Sequence, residues 1–368
     1  MATVRVLQVI TDRDRRGAQV FALDLQKGLR DLGITVETVA LAPGRHGDLL
    51  ALETLGASRH SWRTLRALRR RSRQYDIVIA HGSSTLLACA LGLAFTGVPF
   101  VYRQISDPLF WAGTWTRRIR VAAMIRRAAG IVALSGGSSG VLMSHYRLGP
   151  DRITVIPNAV PTGNFHVALA LEGQQARERF DLSLEGPVIA YVGALAEEKG
   201  VDLVVRCAAL IGNAHTLIVG DGPERARLEL LAAEVAPGRV CFTGSVDESL
   251  DAFMAADLVV LPSKGGDSMP AVLIEAGLCG LATVVTPVGA ITDVVVQGET
   301  GTVVPIDDLN GFASAVRELL ADVDRRTKFG AAAAERCMEH FTIEATAPTW
   351  AALLTAIVRR KRDALAQV

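Results

Sequence analysis

The chain has 368 residues, half of them apolar, and its 39 basic and 38 acidic residues leave a net charge of +1 at pH 7. This length favours two domains over one, and the apolar fraction is ample for two cores. The five cysteines stand far apart without a CxxC pair, which argues against disulfides and metal clusters and favours a reduced cytosolic protein. The charge is unevenly divided, because residues 1–160 carry +12 and the remainder −11, and this division predicts an anionic partner for the basic half.

The apolar runs of the sequence do not predict a membrane span. The first ten residues form a short apolar run that leads straight into charges, so they are predicted to be a strand and not a signal peptide. The longest uncharged run, Gly82–Tyr102, is interrupted by Gly97 and Pro99 and predicts a helix, a turn and a strand. We therefore expect a cytoplasmic protein.

In chain order, the first half alternates between apolar strands and helical patterns. Strands are predicted at residues 4–10, 35–41, 77–80, 100–102, 131–134 and 153–157. Helices are predicted at residues 17–32, 48–55, 62–73, 86–95, 116–128 and from about residue 137. This alternation is typical of a doubly wound parallel sheet, in which ligands bind at the carboxyl ends of the strands.

The second half repeats this alternation after a segment of poor periodicity. Its strands are predicted at residues 188–192, 216–219, 240–242, 258–261, 283–285 and 302–303, and the last helix at residues 346–366. The sequence thus predicts an α/β protein with two Rossmann-like domains. Their predicted bounds are residues 1–165 and 187–345, with a linker and short helix at 166–186 and a C-terminal helix at 346–368.

One strand–loop–helix unit of the second half, centred on Asp267, suits a phosphorylated sugar. Ser268 or Met269 is predicted to cap its helix, and Pro270 to lie in the first turn. The free helix N-terminus would offer N–H groups and a positive dipole end to an anion. Asp267 and Glu275 flank this terminus, and since a carboxylate repels phosphate, we expect them to bind sugar hydroxyls. An anion beside a polyol is the chemistry of a sugar nucleotide.

Further motifs occur in an order that resembles a known family. They are Gly17-Ala18-Gln19, Ala80-His81-Gly82, Val155-Ile156-Pro157-Asn158-Ala159-Val160, Tyr191-Val192-Gly193, Glu198-Lys199-Gly200, Val219-Gly220-Asp221-Gly222-Pro223 and Phe242-Thr243-Gly244. Together with the acid-x7-Glu spacing of Asp267 and Glu275, this set resembles the family 4 retaining glycosyltransferases over nearly the whole chain. The resemblance implies the GT-B architecture, in which two Rossmann-like domains face a cleft and the C-terminal helix packs back on the first domain.

The resemblance also implies the substrates and the catalytic residues. A nucleoside diphosphate sugar would bind the second domain as donor, and the acceptor would bind the first, without a metal or a further cofactor. Lys199 would stabilise charge on the leaving diphosphate, while Asp267 and His81 would contact the transferred sugar. The residues alone leave alternatives open, namely a lysine in a surface turn, an aspartate that caps a loop and a structural histidine.

The predicted binding residues fall into two sets. The donor set is Gly17, Gly193, Lys199, Gly244, Ser245, Val246, Asp267, Ser268, Met269, Pro270 and Glu275. Glu275 would hold the ribose, although a helix-terminal acid is the alternative, and the residues from Thr243 to Val246 would offer backbone groups to the base. The acceptor set is Arg16, Arg103 and Gln104.

The chain departs from the family at Ala194, where the family has an arginine. One of two phosphate-binding cations is therefore missing, and Lys264, Arg16 or another basic group would have to replace it.

Two further motifs are set aside. Asp12-Arg13-Asp14 has the form of a metal-binding DxD motif, but its place in the first βα loop favours a solvated loop. Gly220-Asp221-Gly222 lacks the third glycine and the downstream acid of a dinucleotide-binding motif.

Two predicted helices are rich in arginine and interleaved with apolar residues. They carry Arg63, Arg66, Arg70 and Arg73 in the first helix, and Arg117, Arg118, Arg120, Arg126 and Arg127 in the second. Such helices bind anionic membrane surfaces, and a solvated basic face is the alternative.

The sequence therefore predicts a metal-independent, retaining hexosyltransferase with a glycan or lipid-linked, cell-envelope acceptor, located in the cytoplasm with peripheral contact to the inner face of an anionic membrane. A sugar-nucleotide epimerase or hydrolase of the same fold is one alternative, and a non-catalytic sugar-nucleotide-binding homologue, favoured by Ala194, is another. Nucleic acid is not expected as a partner, because no aromatic-interleaved platform accompanies the basic residues.

Overall fold

The structure is a computed structural model that describes residues 3–44, 49–105, 115–165, 170–182, 185–246 and 249–367. Its internal contacts divide the chain into two units. Unit 1 comprises Met1–Val160 together with Ile343–Val368, and unit 2 comprises Pro161–Thr342.

Unit 1 is built on a parallel sheet of six strands. Its elements up to Val160 are β1 (Arg5–Ile10), α1 (Gly17–Asp31), β2 (Thr35–Ala40), α2 (Trp62–Ser72), β3 (Ile77–His81), α3 (Ser83–Gly92), β4 (Phe100–Arg103), α4 (Trp115–Arg126), β5 (Gly130–Ala133), α5 (Gly136–Tyr146) and β6 (Ile153–Val155). The strand order is β2-β1-β3-β4-β5-β6. The order reverses between β1 and β3, so the carboxyl ends of these two strands mark the place where such sheets bind ligands.

Unit 2 repeats this architecture. Its elements are α6 (Ala170–Arg179), β7 (Val188–Val192), α7 (Val201–Leu210), β8 (His215–Val219), α8 (Arg225–Val235), β9 (Val240–Gly244), α9 (Leu250–Ala255), β10 (Leu258–Leu261), α10 (Ala271–Leu278), β11 (Thr283–Val285), α11 (Ile291–Val294), β12 (Gly301–Val303), α12 (Leu309–Ala321) and α13 (Val323–His340). All neighbouring strands are parallel in the order β12-β11-β10-β7-β8-β9, and the order reverses between β7 and β10. The predicted pair of Rossmann-like sheets is confirmed.

Each face of the unit 1 sheet is covered by a different layer of helices. The side chains of Val78 and Ala80 face α2, α3, α4 and α5, while those of Ile77 and Ile79 face α1 and the C-terminal helix. Alternate residues of one strand supply the two cores, as the pleat of a strand requires.

The C-terminal helix, α14 (Ile343–Ala366), packs back on unit 1 as the resemblance implied, and it begins three residues before its predicted start. It buries one face at helical spacing, with Ile343, Ala347, Trp350, Leu354, Ile357 and Val358 in the core. Gly28 of α1 permits the close approach, because a Cβ there would lie 2.5 Å from Cγ2 of Ile343.

The helix predicted at residues 48–55 is wrong. Asp48 lies outside the described residues, and the segment from Leu49 onward is extended, with a bridge from Leu49 to Asp14 and another from Thr54 to Ala40. Its leucines pack at a spacing of two, since Leu50 and Leu52 both cover β1 and β2. Pairing with existing strand edges therefore prevailed over the local helical pattern.

The predicted cap of α10 is also wrong. The N-cap residue is Pro270, in an extended conformation, and not Ser268 or Met269. The backbone before it is already engaged, because Ser268 accepts a hydrogen bond from Ala290 N at 2.5 Å and a Cβ on Gly289 would collide with Asp267 O at 2.1 Å. The helix therefore begins only after these contacts, at Ala271.

Candidate active site

The sheet of unit 2 brings two predicted catalytic residues together where its strand order reverses. Lys199 follows β7 and Asp267 follows β10, and the Lys199 ammonium forms an ion pair with one carboxylate oxygen of Asp267. The hydroxyl of Ser263 donates to the other oxygen. Asp267 is only 8% exposed, so this site holds an oriented, largely desolvated ion pair. Ser263 was not predicted as a site residue. Its position in the loop that carries Asp267 is the signal that could have identified it.

Lys199 is held in place by the backbone on both sides of the pair. The carbonyl of Glu198 accepts hydrogen bonds from the N–H groups of Lys264 and Gly265, at 2.8 and 3.2 Å. Gly200 has φ +65°, and a Cβ there would meet the carbonyl oxygen of Pro262 at 2.2 Å. The loops after β7 and β10 therefore form one rigid support for the ammonium group.

Glycines allow close backbone contacts at the neighbouring strand ends. A Cβ on Gly220 would lie 1.9 Å from the carbonyl oxygen of Gly193, and one on Gly222 would lie 2.3 Å from that of Leu195. Gly220 also donates a backbone hydrogen bond to Gly244. The Gly-Asp-Gly sequence set aside as a dinucleotide motif thus has a packing function, since it brings the predicted donor residues Gly193 and Gly244 to neighbouring backbones.

Glu275 lies in the second turn of α10 and is half-buried. Its carboxylate accepts a 2.9 Å hydrogen bond from the hydroxyl of Ser249. Ser249 precedes α9 and stands three residues after Val246, so the contact joins the predicted ribose residue to the segment predicted to meet the base. Of the other donor residues, Met269 is buried and Ser245 is exposed.

The position of the missing arginine is open to solvent. Ala194 is exposed, and its carbonyl accepts a 2.8 Å hydrogen bond from the hydroxyl of Tyr191. Lys264 is a poor replacement, because its ammonium already contacts Asp202 at 3.1 Å and Asp307 at 3.4 Å. Burial opposes the charge of Lys264, but these acidic partners outweigh it and raise the pKa of its ammonium. The charge of Lys264 is therefore already compensated by Asp202 and Asp307.

In unit 1, His81 ends β3 and is buried with a fixed tautomer. Its Nε2 lies 2.8 Å from Oε1 of Gln8, whose amide nitrogen donates to the carbonyl of Ala22 at 2.7 Å and to the hydroxyl of Thr38 at 3.1 Å. Because the amide nitrogen must face these acceptors, the Gln8 oxygen faces His81, and Nε2 must carry the proton. Nδ1 is thus left as an acceptor, and it has no hydrogen-bond partner among the described residues.

Gln8 is a residue that sequence analysis missed. It is fully buried in β1 between apolar neighbours. A buried amide inside an apolar strand is the signal that would have found it, because such a group needs a polar partner.

The charge of Arg103 reinforces the neutral state of His81. Burial and the charge of Arg103 hold the pKa of His81 well below its ordinary value. Arg103 is 1% exposed, donates to Asn158 Oδ1 at 2.9 Å and stacks 3.5 Å above the ring of Phe21. Burial lowers the pKa of Arg103 to about 9, so the guanidinium stays charged at neutral pH. Gln104, the next predicted acceptor residue, is 2% exposed.

A cavity of about 290 Å³ lies beside His81, where the strand order of unit 1 reverses. Polar residues line much of it, including Thr11, Arg16, Gln19, Ser83 and Ser84. Gly17 begins α1 and is exposed, and a Cβ there would meet no described atom within 4 Å. Of the predicted acceptor residues, Arg16 lines this cavity, whereas Arg103 does not.

The loop that carries Asp12 and Asp14 is not solvated, contrary to the prediction. The two side chains are 2% and 3% exposed. Asp12 accepts from Gln19 at 3.0 Å and pairs with Arg59 at 2.5 Å, and Asp14 pairs with Arg16. These carboxylates neutralise basic groups around the cavity.

The described residues contain neither a candidate metal cluster nor a candidate membrane-spanning helix. No group of three or more His, Cys, Asp or Glu side chains there is placed to hold a metal ion. None of the described helices is both long and apolar enough to cross a membrane.

Comparisons with known proteins assign the chain to a family. Residues 186–322 match the family model described as glycosyl transferases group 1, and residues 15–164 match the one described as glycosyltransferase family 4. The chain is 29% identical over 295 residues to the alpha-maltose-1-phosphate synthase of Mycolicibacterium smegmatis, across 72% of this chain and 75% of that protein. It is 33% identical over 196 residues to the phosphatidyl-myo-inositol mannosyltransferase of the same organism, across 51% of this chain and 48% of that protein.

A solved structure shares the arrangement of strands and helices. Anabaena HepE in complex with UDP-glucose superposes with a TM-score of 0.80 at 18% identity, over 99% of this chain and 100% of that chain. Two family models that together span both units, and a structural match over nearly the whole length, lead to one conclusion. The chain is a glycosyltransferase of the group 1, family 4 type with the GT-B fold.

Proposed function

We propose that this glycosyltransferase transfers a hexose from a nucleoside diphosphate sugar with retention of configuration and without a metal ion. The observation that carries the proposal is the Lys199–Asp267 ion pair at the point where the strand order of unit 2 reverses. Its oriented ammonium is suited to a diphosphate leaving group.

The chemistry assigned to this pair is stabilisation of the leaving group. When the bond between the sugar carbon and the diphosphate oxygen breaks, its electron pair goes to the diphosphate, which gains negative charge. The ammonium of Lys199 stabilises that charge, and Asp267 orients the ammonium. The acceptor oxygen bonds to the same face of the sugar carbon, and its proton passes to the leaving phosphate, so no protein nucleophile is needed.

The predicted donor residues of unit 2 support a nucleotide sugar as donor. Gly193 and Gly244 bring backbone groups together without side chains between them, and Glu275 offers a half-buried carboxylate to ribose hydroxyls. The structural neighbour from Anabaena was solved with UDP-glucose, which belongs to this class of donor.

For the acceptor, we propose an anionic, lipid-linked molecule at a membrane surface. Residues 1–160 carry +12, and Arg63, Arg66, Arg70 and Arg73 are all exposed along α2 beside Trp62. The mannosyltransferase relative has a phosphatidyl inositol in its name, which supports a lipid acceptor for this chain.

The proposal is tested in two steps. Thermal unfolding with UDP, GDP, ADP and their hexose conjugates should show one preferred nucleotide, since a ligand at a hundred times its Kd stabilises a protein by about 2.7 kcal/mol. Proton NMR of the product made with that donor should show the anomeric configuration of the donor, and activity should persist after EDTA. An inverted product, or activity restored only by manganese or magnesium, would contradict the mechanism. Nucleotide binding without transfer to any added acceptor would favour a non-catalytic homologue, an epimerase or a hydrolase.

A further inference from the structure

Unit 1 contains a second cavity, of about 520 Å³, between α3, α4 and α5. Its walls are mainly apolar and include Leu86, Leu91, Val121, Met124, Leu142 and Tyr146. Leu91 is 52% exposed, so the cavity opens to solvent beside an apolar rim. A volume of this size matches the sites at which proteins bind small molecules, and an apolar wall selects an apolar ligand.

The apolar cavity adjoins the polar cavity beside His81. Ser83 and Ser84, the first two residues of α3, line both of them. The two cavities are also linked through neighbouring residues of the chain, since Gln104 lines the apolar one and Ile105 the polar one. One molecule with a polar end and an apolar end can therefore occupy both at once.

The charge around the apolar cavity favours an anion. Arg117 and Arg120 of α4 line it, and both are exposed. The exposed arginines of α2 lie in the same helical layer, because Leu68 of α2 packs into the core that α3, α4 and α5 share. A negative group on the ligand would lie where these guanidinium groups can reach it.

We infer that the apolar cavity binds the hydrocarbon chain of a single anionic amphiphile, whose polar head lies in the cavity beside His81. The identification of this head as the sugar acceptor rests on the proposed function. The volume of the apolar cavity matches a hydrocarbon chain, and the polar residues Ser83 and Ser84 match the start of a polar head. The flanking arginines match a negative charge.

The test uses hexyl, octyl and decyl phosphate as probes, each below its micelle concentration, with the full chain in a calorimeter. Each added methylene should tighten binding about fourfold while it is buried in the cavity. Ala123 is exposed and lines the cavity, so Ala123→Phe should place a ring in part of it and reduce the dependence on chain length. Ala356→Phe, at an exposed position of α14 outside the cavity, is the matched control and should bind as the parent does.

A second variant separates the charge from the chain. Arg120→Gln should lower the affinity for all three alkyl phosphates by the same factor. The gain in affinity per added methylene should stay unchanged. The inference would be overturned if binding of the parent did not depend on chain length. It would also be overturned if Ala123→Phe and Ala356→Phe weakened binding equally. A dimer in sedimentation velocity that Ala123→Phe dissociates would assign the cavity to a second copy of the chain and would also overturn it.

The result is independent of the donor site. Stabilisation by nucleotide should be the same in Ala123→Phe as in the parent, because every described residue that lines the cavity belongs to unit 1. If the parent protein bound no nucleotide, the proposed function alone would be refuted. If the affinity of the parent for alkyl phosphates did not rise with chain length, this inference alone would be refuted.

Discussion

At the scale of single residues, Lys199 has to serve both the fold and the reaction. Asp267 is nearly buried, and its charge is compensated by Lys199 and the Ser263 hydroxyl. Removal of the ammonium leaves a carboxylate without its cation, which costs about 3–5 kcal/mol for a fully buried pair and less for one that water partly reaches. Effects on turnover must therefore be separated from effects on stability.

We predict that Lys199→Ala lowers kcat by about 10²–10³-fold, as expected for the loss of one group that stabilises transition-state charge. Lys264→Ala is the matched control, because the ammonium of Lys264 already contacts Asp202 and Asp307. Steady-state kinetics measured well below the unfolding temperature of each variant would test this. An equal decrease of kcat in the two variants would contradict a specific catalytic role for Lys199.

A gain of function is expected at Ala194. The residue is exposed on the loop that carries Lys199, so an arginine fits without repacking. One added charge-assisted hydrogen bond to the diphosphate contributes about 1.5–3 kcal/mol, and Ala194→Arg should raise kcat/KM for the donor by about 10–100-fold. Ala194→Gln has a long side chain without the charge and serves as control. If both variants match the parent, the missing cation is already replaced elsewhere.

The neutral state of His81 predicts a dependence of stability on pH. Its folded pKa lies well below 6.5, so below pH 6.5 the unfolded chain binds a proton that the folded chain does not, and stability falls as pH falls. The difference in unfolding free energy between the parent and His81→Gln should change in this direction between pH 6.5 and 5, by at most about 1.4 kcal/mol per pH unit.

Urea unfolding at several pH values measures this slope. Burial raises the pKa of Asp24 to about 6, which contributes a slope of opposite sign, but Asp24 is present in both proteins and cancels in the difference. His60→Gln, at an exposed histidine, controls for the loss of any imidazole. A difference that stays constant across the range would mean that His81 binds its proton equally in both states.

At the scale of elements, the contact between α1 and α14 depends on one glycine. A Cβ on Gly28 would lie 2.5 Å from Ile343 Cγ2 and 3.2 Å from Ala347 Cβ, so a larger residue forces the helices apart. We predict that Gly28→Val lowers the unfolding free energy by about 1–3 kcal/mol, as overpacking does, and that Ile343→Ala restores part of the loss. Denaturant unfolding of the double-mutant cycle measures both.

Gly140 of α5 is the matched control for this substitution. It is also a helical glycine, but a Cβ there meets no described atom within 4 Å, so Gly140→Val should be neutral or slightly stabilising. A similar loss at both positions would attribute the effect to valine itself and not to the contact with α14.

The strands were more predictable than the loops between them. The strands at residues 188–192, 258–261 and 283–285 were predicted at their observed bounds, because short apolar runs between polar turns leave little choice for a buried parallel strand. Residues 49–55 have helical spacing in sequence, but they pair with Asp14 in the loop after β1 and with Ala40 of β2, which are distant partners that no local pattern reveals.

The same distinction applies to the candidate site. The family motifs predict Lys199 and Asp267, and the structure adds that they form an ion pair. The bonds from Gln8 to His81 and from Ser249 to Glu275 join residues 73 and 26 positions apart, so they depend on the sheet topology and not on a motif.

At the scale of the whole molecule, the division of charge predicts binding to anionic vesicles. Each basic residue near such a surface contributes about 1 kcal/mol, and salt screens the attraction over about 10 Å at 0.1 M. Arg66→Glu with Arg70→Glu reverses two charges on the exposed stripe of α2 and should lower binding by at least tenfold. Co-sedimentation with neutral and anionic vesicles, at low and high salt, measures it.

The control reverses two charges elsewhere in unit 1. Arg359→Glu with Arg360→Glu changes the net charge equally on α14, which covers the opposite face of the sheet from α2. Equal losses would show that net charge alone attracts the protein. Equal binding of the parent to neutral and anionic vesicles, or binding to neither, would leave the arginines as a solvated face.

The return of α14 to unit 1 has a consequence for synthesis on the ribosome. Unit 1 lacks one of the two helices that cover one face of its sheet until Ile343 and the residues after it have emerged, and Pro161–Thr342 must be translated first. Domains generally fold as they leave the ribosome, so unit 2 is expected to complete its fold while Phe21, Leu25 and Val101 still lack their partner helix. A nascent chain arrested before Ile343 should therefore expose an apolar surface that a chaperone recognises, and release of the last helix should close it.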